Sequence, residues 1–198
     1  MKKHSEIKDL LIAWVIISLC FTLAIGGYTL INFVRNGFNV TTIEFFTTLG
    51  LSLIITATSF IIHEMSHKYT AIHFGAQAKF VMWLPLLLIA LAVSAVFGFI
   101  FVAPGAVFIF GKTLSIKEDG IISVAGPISN LIMGVLFFIA ALLGAPVLLV
   151  ALGVNINLWI AFFNLLPFGP LDGKKILTWN PLVWGICIAI PIFILFIL

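Results

Sequence analysis

Charged side chains are scarce in this sequence. Only 9% of the 198 residues are Asp, Glu, Lys or Arg, whereas 63% are hydrophobic and the mean hydropathy is +1.29. Soluble globular domains carry about 25% charged residues, so this composition excludes an ordinary soluble domain. The ten basic residues stand singly or in pairs at the ends of apolar runs rather than along a stripe, which excludes a nucleic-acid-binding face.

Cysteines and carboxylates are also few. Cys20 and Cys187 both lie inside apolar runs, without the spacing of a disulfide framework or a zinc knuckle. The chain has only seven carboxylates, and most of them lie near the ends of the apolar runs. An ionisable residue inside such a run is costly in a membrane, so it points to a function.

Long apolar runs take up most of the chain. A membrane-spanning helix needs about 20 apolar residues at a rise of about 1.5 Å per residue. Runs of this kind begin near Leu10, Glu44, Gly120, Pro146 and Leu182. A sixth apolar stretch covers residues 81–102. The sequence therefore predicts an all-α polytopic membrane protein with five or six transmembrane helices.

The domain organisation follows from the same runs. They leave no segment long enough for a soluble regulatory domain, so we expect one membrane-embedded core over residues 1–198. The sequence stops at Leu198 inside an apolar run, so we expect either a truncated C-terminus or a family member with a later domain beyond this residue.

One apolar run carries a group of ionisable residues. Residues 61–75 read IIHEMSHKYTAIHFG, in which His63, Glu64 and His67 form an H-E-x-x-H pattern. Residues four apart lie on one face of a helix, about 6 Å apart along its axis, so both imidazoles can bind one zinc ion. Glu64 lies at a neighbouring angle, where it can act as general base without being a ligand. Because ionisable residues are expensive inside a membrane helix, a structural coincidence is disfavoured.

A catalytic zinc site needs a third protein ligand and keeps one position open. Among the carboxylates outside the motif, only Asp172, in NLLPFGPLDGKKIL, has strongly apolar surroundings, so elimination favours it. The neighbouring prolines and glycines cannot sustain a regular helix, and irregular backbone at membrane depth is tolerated around a protein-lined or watery cavity. The alternative is a solvated interfacial turn beside Lys174 and Lys175.

Three motifs follow one another between residues 45 and 176. They are His63-Glu64-x-x-His67, Gly126-Pro127-x-x-Asn130, and Asn164-x-x-Pro167-x-x-Pro170-Leu171-Asp172-Gly173. In this order they resemble the site-2 protease family of intramembrane zinc metalloproteases, of archaeal or bacterial type. The resemblance implies one Zn²⁺ per chain, held by His63, His67 and Asp172. It also implies that Glu64 is the general base, that Asn130 lines the active site and binds substrate, and that the substrates are transmembrane helices.

The order of crossings provides a separate argument about topology. Ligands must lie at one depth, so an even number of crossings must separate His63 from Asp172. If residues 81–102 do not cross, nine of the ten basic residues lie on the cytoplasmic side, as the positive-inside rule requires. This favours a re-entrant element containing Ser94 and Gly98, five crossings, and a cytoplasmic N-terminus and active-site side. Six crossings with one short or broken helix are the alternative.

A short β-prone segment lies between the motif helix and the helix that begins near Gly120. Residues 103–110, APGAVFIF, contain a Pro-Gly turn signal followed by residues that favour a strand. Such a strand can pair by edge addition with a substrate helix that has locally unwound. A plain hairpin or connector is the alternative.

The predicted function is intramembrane endopeptidase activity in the cell membrane, with transmembrane proteins and the lipid bilayer as partners and the oligomeric state left open. An ion, proton or metal transporter is the alternative from another class, since intramembrane ionisable residues often mark ion routes. Transporters of that kind commonly show internal repeats, and neither H-E-x-x-H nor N-x-x-P-x-x-P-L-D-G occurs twice here. A catalytically silent assembly subunit is disfavoured because Glu64 is intact.

Overall fold

The computed structural model describes residues 5–37, 41–98 and 105–197, which are mostly helical. The helices are α1 (Glu6–Ile25), α2 (Leu30–Asn36), α3 (Thr42–Thr56), α4 (Ile62–His73), α5 (Leu84–Phe97), α6 (Ile116–Leu142), α7 (Val147–Asn164), α8 (Asp172–Trp179) and α9 (Pro181–Phe196). A π-helical segment, Ala57–Ile61, joins α3 to α4, and the strands are β1 (Gln77–Met82) and β2 (Gly105–Phe110).

Four helical segments within the described residues are long and apolar enough to cross a membrane. They are Glu6–Asn36, which is interrupted between α1 and α2, Thr42–His73, Ile116–Leu142 and Val147–Asn164. The predicted all-α polytopic membrane fold is therefore confirmed. The apolar helices α5 and α9 have 14 and 16 residues, or about 21 and 24 Å. Whether they complete five or six crossings stays a prediction.

The sixth apolar stretch contains a regular helix. Pro85 lies in the first turn of α5, where its missing N–H is not needed, and Ser94 is buried within the helix. Gly98 ends the helix with a φ of 72°, a left-handed conformation that glycine adopts without strain. The helix is shorter than the roughly 30 Å hydrocarbon core. A re-entrant path stays a prediction, and residues 99–102 of the stretch lie outside the described ranges.

The predicted β segment is a strand over the part that the structure describes. β2 pairs with β1 in a two-stranded sheet. Gly105 lies against Val81 and Met82, and Gly111 lies against Gln77, so the two strands are antiparallel. A Cβ at Gly105 would fall 2.3 Å from the Val81 carbonyl oxygen, which explains why glycine begins the strand. Residues 103–104 lie outside the described ranges.

The chain divides into two compact units. The first consists of Met1–Ala57 and Phe80–Ala106, and in it α1 packs against α3 and α5. The second consists of Thr58–Lys79 and Val107–Leu198, and in it α6 packs against α4, α7 and α8. All three predicted zinc ligands belong to the second unit.

Helix α6 is the centre of the second unit. It begins with a capping box, in which Ser115 and Glu118 each accept a hydrogen bond from the other's backbone N–H. At Gly120 an added Cβ would fall 2.4 Å from the Cβ of Trp179, so α8 packs directly on the α6 backbone. This contact fixes the position of α8, the helix that begins with Asp172.

Candidate metal centre

The H-E-x-x-H motif lies in the first turns of α4, directly after the π-helical segment. A π turn widens the helix by one residue per turn and often occurs at functional sites. Within this segment the carbonyl oxygen of Ser59 accepts a hydrogen bond from Nδ2 of Asn130, at 2.7 Å. The side chains of His63 and His67 are buried on the following turns, so this face of α4 points into the unit rather than to lipid.

Three donor atoms converge at this point. Nε2 of His63 lies 3.0 Å from Nε2 of His67, and Oδ2 of Asp172 lies 3.5 Å and 3.2 Å from them, respectively. Tetrahedral zinc with ligands at 2.0–2.1 Å holds its donor atoms about 3.3 Å apart. The observed separations fall on both sides of this value. The donor set therefore fits one zinc ion, with a fourth position left for water or substrate.

In both histidines Nδ1 has a hydrogen-bond partner outside the centre, which leaves Nε2 to bind a metal. Nδ1 of His63 lies 2.6 Å from Oδ1 of Asn130, and Nδ1 of His67 lies 2.8 Å from the Ile122 carbonyl oxygen. Because both partners are acceptors, each Nδ1 carries a ring proton, and in the neutral imidazole the lone pair that can bind a metal then lies on Nε2, toward the centre. Two lone pairs and a carboxylate then face one another, an arrangement that a cation stabilises.

Asp172 reaches the histidines because of how α8 begins. The preceding residues, 165–171, make turns in which Gly169 has a φ of 61°, and the helix starts at Asp172. A Cβ at Gly173 would fall 2.0 Å from the Leu165 carbonyl oxygen, so α8 starts in direct contact with the end of α7. One turn later Lys175 forms an ion pair with Asp119 of α6, at 3.2 Å.

Gly126 of α6 lies against both imidazoles. An added Cβ there would be 2.3 Å from Nε2 of His67 and 2.7 Å from Cε1 of His63. Only a residue without a side chain allows the α6 backbone to approach the rings this closely. The Gly126-Pro127-x-x-Asn130 motif thus places two features on one helix. The backbone at Gly126 approaches both imidazoles closely, and the amide of Asn130 is the hydrogen-bond partner of His63.

Glu64 is buried beside the centre but stands outside the ligand group. Within the described residues, one group of three His, Cys, Asp or Glu side chains has ligand atoms that all lie within 4.8 Å of one another, and it consists of His63, His67 and Asp172. The Glu64 side chain is 9% exposed and close enough for its charge to interact with all three of these residues. A carboxylate in this position can exchange a proton with a molecule at the open fourth position.

Asn130 is fully buried, and all its amide groups are engaged. Its Oδ1 accepts from His63, while its Nδ2 donates to the Ser59 carbonyl oxygen and to Oδ1 of Asn157, the latter at 3.0 Å. The contact to His63 places Asn130 next to the metal centre, and its role toward substrate stays a prediction. Sequence reasoning did not identify Ser59 or the Ile122 carbonyl as partners of this centre, since neither belongs to a motif.

The comparisons with known proteins agree with this site. A protein of Methanocaldococcus jannaschii named "Putative zinc metalloprotease MJ0611" is 40% identical to this chain over 146 residues, which cover 72% of this chain and 76% of that protein. No family model matches the chain. No solved structure matches it either. The extent and identity of the match, together with the His/His/Asp cluster, show that the chain belongs to the zinc metalloprotease family of this archaeal relative.

Proposed function

We propose that this protein is an intramembrane endopeptidase that hydrolyses peptide bonds within or near the transmembrane helices of other membrane proteins. The observation that carries the proposal is the convergence of His63, His67 and Asp172 on elements of a polytopic membrane protein. His63 and His67 belong to a segment long and apolar enough to cross a bilayer, Thr42–His73. A protease built on such a segment meets substrates that share its membrane.

In this proposal one Zn²⁺ per chain is held by His63, His67 and Asp172. When bound, zinc supplies Lewis-acid chemistry, polarising a peptide carbonyl and making water more acidic. Glu64 acts as the general base: it takes a proton from water and then transfers it to the leaving amine nitrogen. Both transfers leave the Glu64 carboxylate as it began, so one side chain serves a complete cycle. The hydrogen bonds at Nδ1 of His63 and His67 keep both Nε2 atoms turned toward the ion.

A helical substrate has to unwind before it can be cleaved, because its amides are occupied by hydrogen bonds along the helix. The sheet has only two strands among the described residues, so each strand has a second edge outside the pair. Along β2 side chains alternate between half-buried and exposed, with Phe108 and Phe110 on the exposed side. In this proposal β2 pairs with the unwound substrate by edge addition, which replaces the lost hydrogen bonds.

The proposal also includes the topology. Residues 1–198 form one protease core in the cell membrane, with the N-terminus and the active-site side in the cytoplasm, as the basic residues favour. Cysteines introduced at Lys112 and Lys174 should both react with a membrane-impermeant reagent from the cytoplasmic side. Labelling of either position only from the opposite side would contradict this orientation.

The test of the enzymatic proposal uses purified protein in liposomes with a labelled transmembrane substrate. Glu64→Gln should keep its zinc and lose about 10²–10⁴-fold in cleavage rate, the usual contribution of a general base. Cleavage that survives both chelation and Glu64→Gln would contradict the proposal. A transporter, the alternative function, would instead move ions across the liposome membrane without cleaving any peptide.

A further inference from the structure

We propose that Asn157 of α7 is a positioning residue that sets the proton on His63 through Asn130, and so determines how tightly the metal binds. The inference rests on the proposed function, because it assumes that His63 is a ligand. It assigns a role to a residue that lies outside all three motifs of the sequence. A series of hydrogen bonds in the second unit links Asn157 to His63 through Asn130.

The series of hydrogen bonds begins at the backbone of α7. Nδ2 of Asn157 donates to the Gly153 carbonyl oxygen at 2.8 Å, one turn earlier in its own helix. This bond fixes which end of the Asn157 amide faces inward. Its Oδ1 therefore points to α6 and accepts from Nδ2 of Asn130.

The next step fixes the amide of Asn130. Two acceptors, Oδ1 of Asn157 and the Ser59 carbonyl oxygen, take both hydrogens of its Nδ2. Only Oδ1 of Asn130 is then left to face Nδ1 of His63. A reversed Asn130 amide would turn its oxygen toward Oδ1 of Asn157 and the Ser59 carbonyl oxygen. Buried oxygens would then face each other without a hydrogen between them, which is unfavourable.

The last step concerns the ligand itself. An acceptor at Nδ1 requires a proton on that nitrogen, so the neutral His63 tautomer that this contact favours has its lone pair on Nε2, the atom that binds a metal. If the Asn130 amide were reversed, its NH₂ would favour the other tautomer, with the proton on Nε2 in the place of the metal. Asn157 and Asn130 are both fully buried, so water does not substitute for either partner.

Metal affinity is the quantity that tests this role. The full chain is purified in detergent, stripped with a chelator, and titrated with Zn²⁺ against a chromophoric competitor, with Co²⁺ spectra as a second readout. Outer partners of ligand histidines change metal affinity by about 10–100-fold. We expect Asn157→Leu, which removes the hydrogen bonds and keeps the volume, to weaken Zn²⁺ binding about 10-fold and to change the Co²⁺ bands.

Three further variants separate positioning from general stability. Asn157→Asp keeps an acceptor for Asn130 and should retain most of the affinity. Asn155→Leu is the matched control, because Asn155 lies on the same helix, is exposed, and donates to its own helix at the Ala151 carbonyl. It should bind Zn²⁺ like wild type. Asn157→Ala replaces Asn157→Leu if the leucine variant does not fold.

A double-mutant cycle gives the decisive result. If Asn157 acts through Asn130, adding Asn157→Leu to Asn130→Ala should change the affinity by less than about 2-fold, since coupled sites are not additive. Fully additive losses, or unchanged affinity in folded Asn157→Leu, would overturn the inference. Wild-type protein that binds no stoichiometric Zn²⁺ would instead overturn the proposed function, so the two failures are distinguishable.

Discussion

Three buried hydroxyls of the first unit and the two buried imidazoles of the second unit are satisfied in different ways. In the first unit Ser18, Thr22 and Thr56 each donate to a carbonyl oxygen four residues earlier in the same helix. In the second unit His63 and His67 find their partners 67 and 55 residues away. A hydroxyl that donates to its own helix keeps its hydrogen bond wherever that helix packs. An imidazole that bonds to another helix keeps its hydrogen bond only when the two helices pack together. Buried polar groups that depend on distant partners are therefore the better guide to function here.

The largest effect should come from removing a ligand in the second unit. His67→Ala leaves two donors, His63 and Asp172, which do not make a catalytic zinc site. We expect loss of both stoichiometric zinc and cleavage, measured by metal analysis and by the liposome assay. The matched control is His73→Ala, at the exposed end of the same helix, which should keep both. Equal losses of zinc and cleavage in the two variants would contradict a specific role of His67, because any change in α4 would then have the same effect.

A smaller effect should follow when a ligand is displaced rather than removed. Gly126→Ala puts a methyl group where the His67 ring now lies, and a displacement of about 1 Å at an active site costs about 10²-fold in rate. We expect a loss of that size in cleavage, together with weaker zinc binding. Gly134→Ala on the same helix is the control, because its nearest neighbour, Leu158, would be 4.0 Å from the new Cβ. Normal activity in Gly126→Ala would contradict the close approach of α6.

The smallest effect should come from the first unit. Oγ of Ser18 and Oγ1 of Thr56 lie 2.6 Å apart between α1 and α3. Such contacts between membrane helices contribute about 0.6 kcal/mol on average. Ser18→Ala should therefore lower the free energy of unfolding by about that amount and leave zinc affinity unchanged. An effect on zinc affinity would mean that polar contacts within the first unit also serve the centre.

Much of the fold was predictable because membrane spans are encoded locally. Apolar runs beginning near Glu44, Gly120 and Pro146 became the long helices Thr42–His73, Ile116–Leu142 and Val147–Asn164. The strand over 105–110 was also predictable from β-prone residues after a turn signal. The stretch 81–102 was harder, since its composition fits a crossing, a re-entrant segment or a short helix equally well, and only packing decides.

The three ligand residues of the centre could be predicted from the sequence, but the contacts that hold them in position could not. His63 and His67 follow from spacing on a helix, and Asp172 follows because few carboxylates exist in an apolar setting. The π turn at Ala57–Ile61 and the approach at Gly126 depend on contacts between helices, which have no signature in a single sequence. The same holds for Asn157, whose amide acquires meaning only when α6 lies beside it.

The central claim is that His63, His67 and Asp172 bind one metal ion together. Anomalous diffraction at the zinc edge, from crystals of the zinc-loaded protein, tests it most directly. The account predicts one strong peak per chain, about 2.0–2.1 Å from Nε2 of both histidines and from a carboxylate oxygen of Asp172. A zinc peak elsewhere, or an Asp172 carboxylate that lies far from both imidazoles, would contradict it.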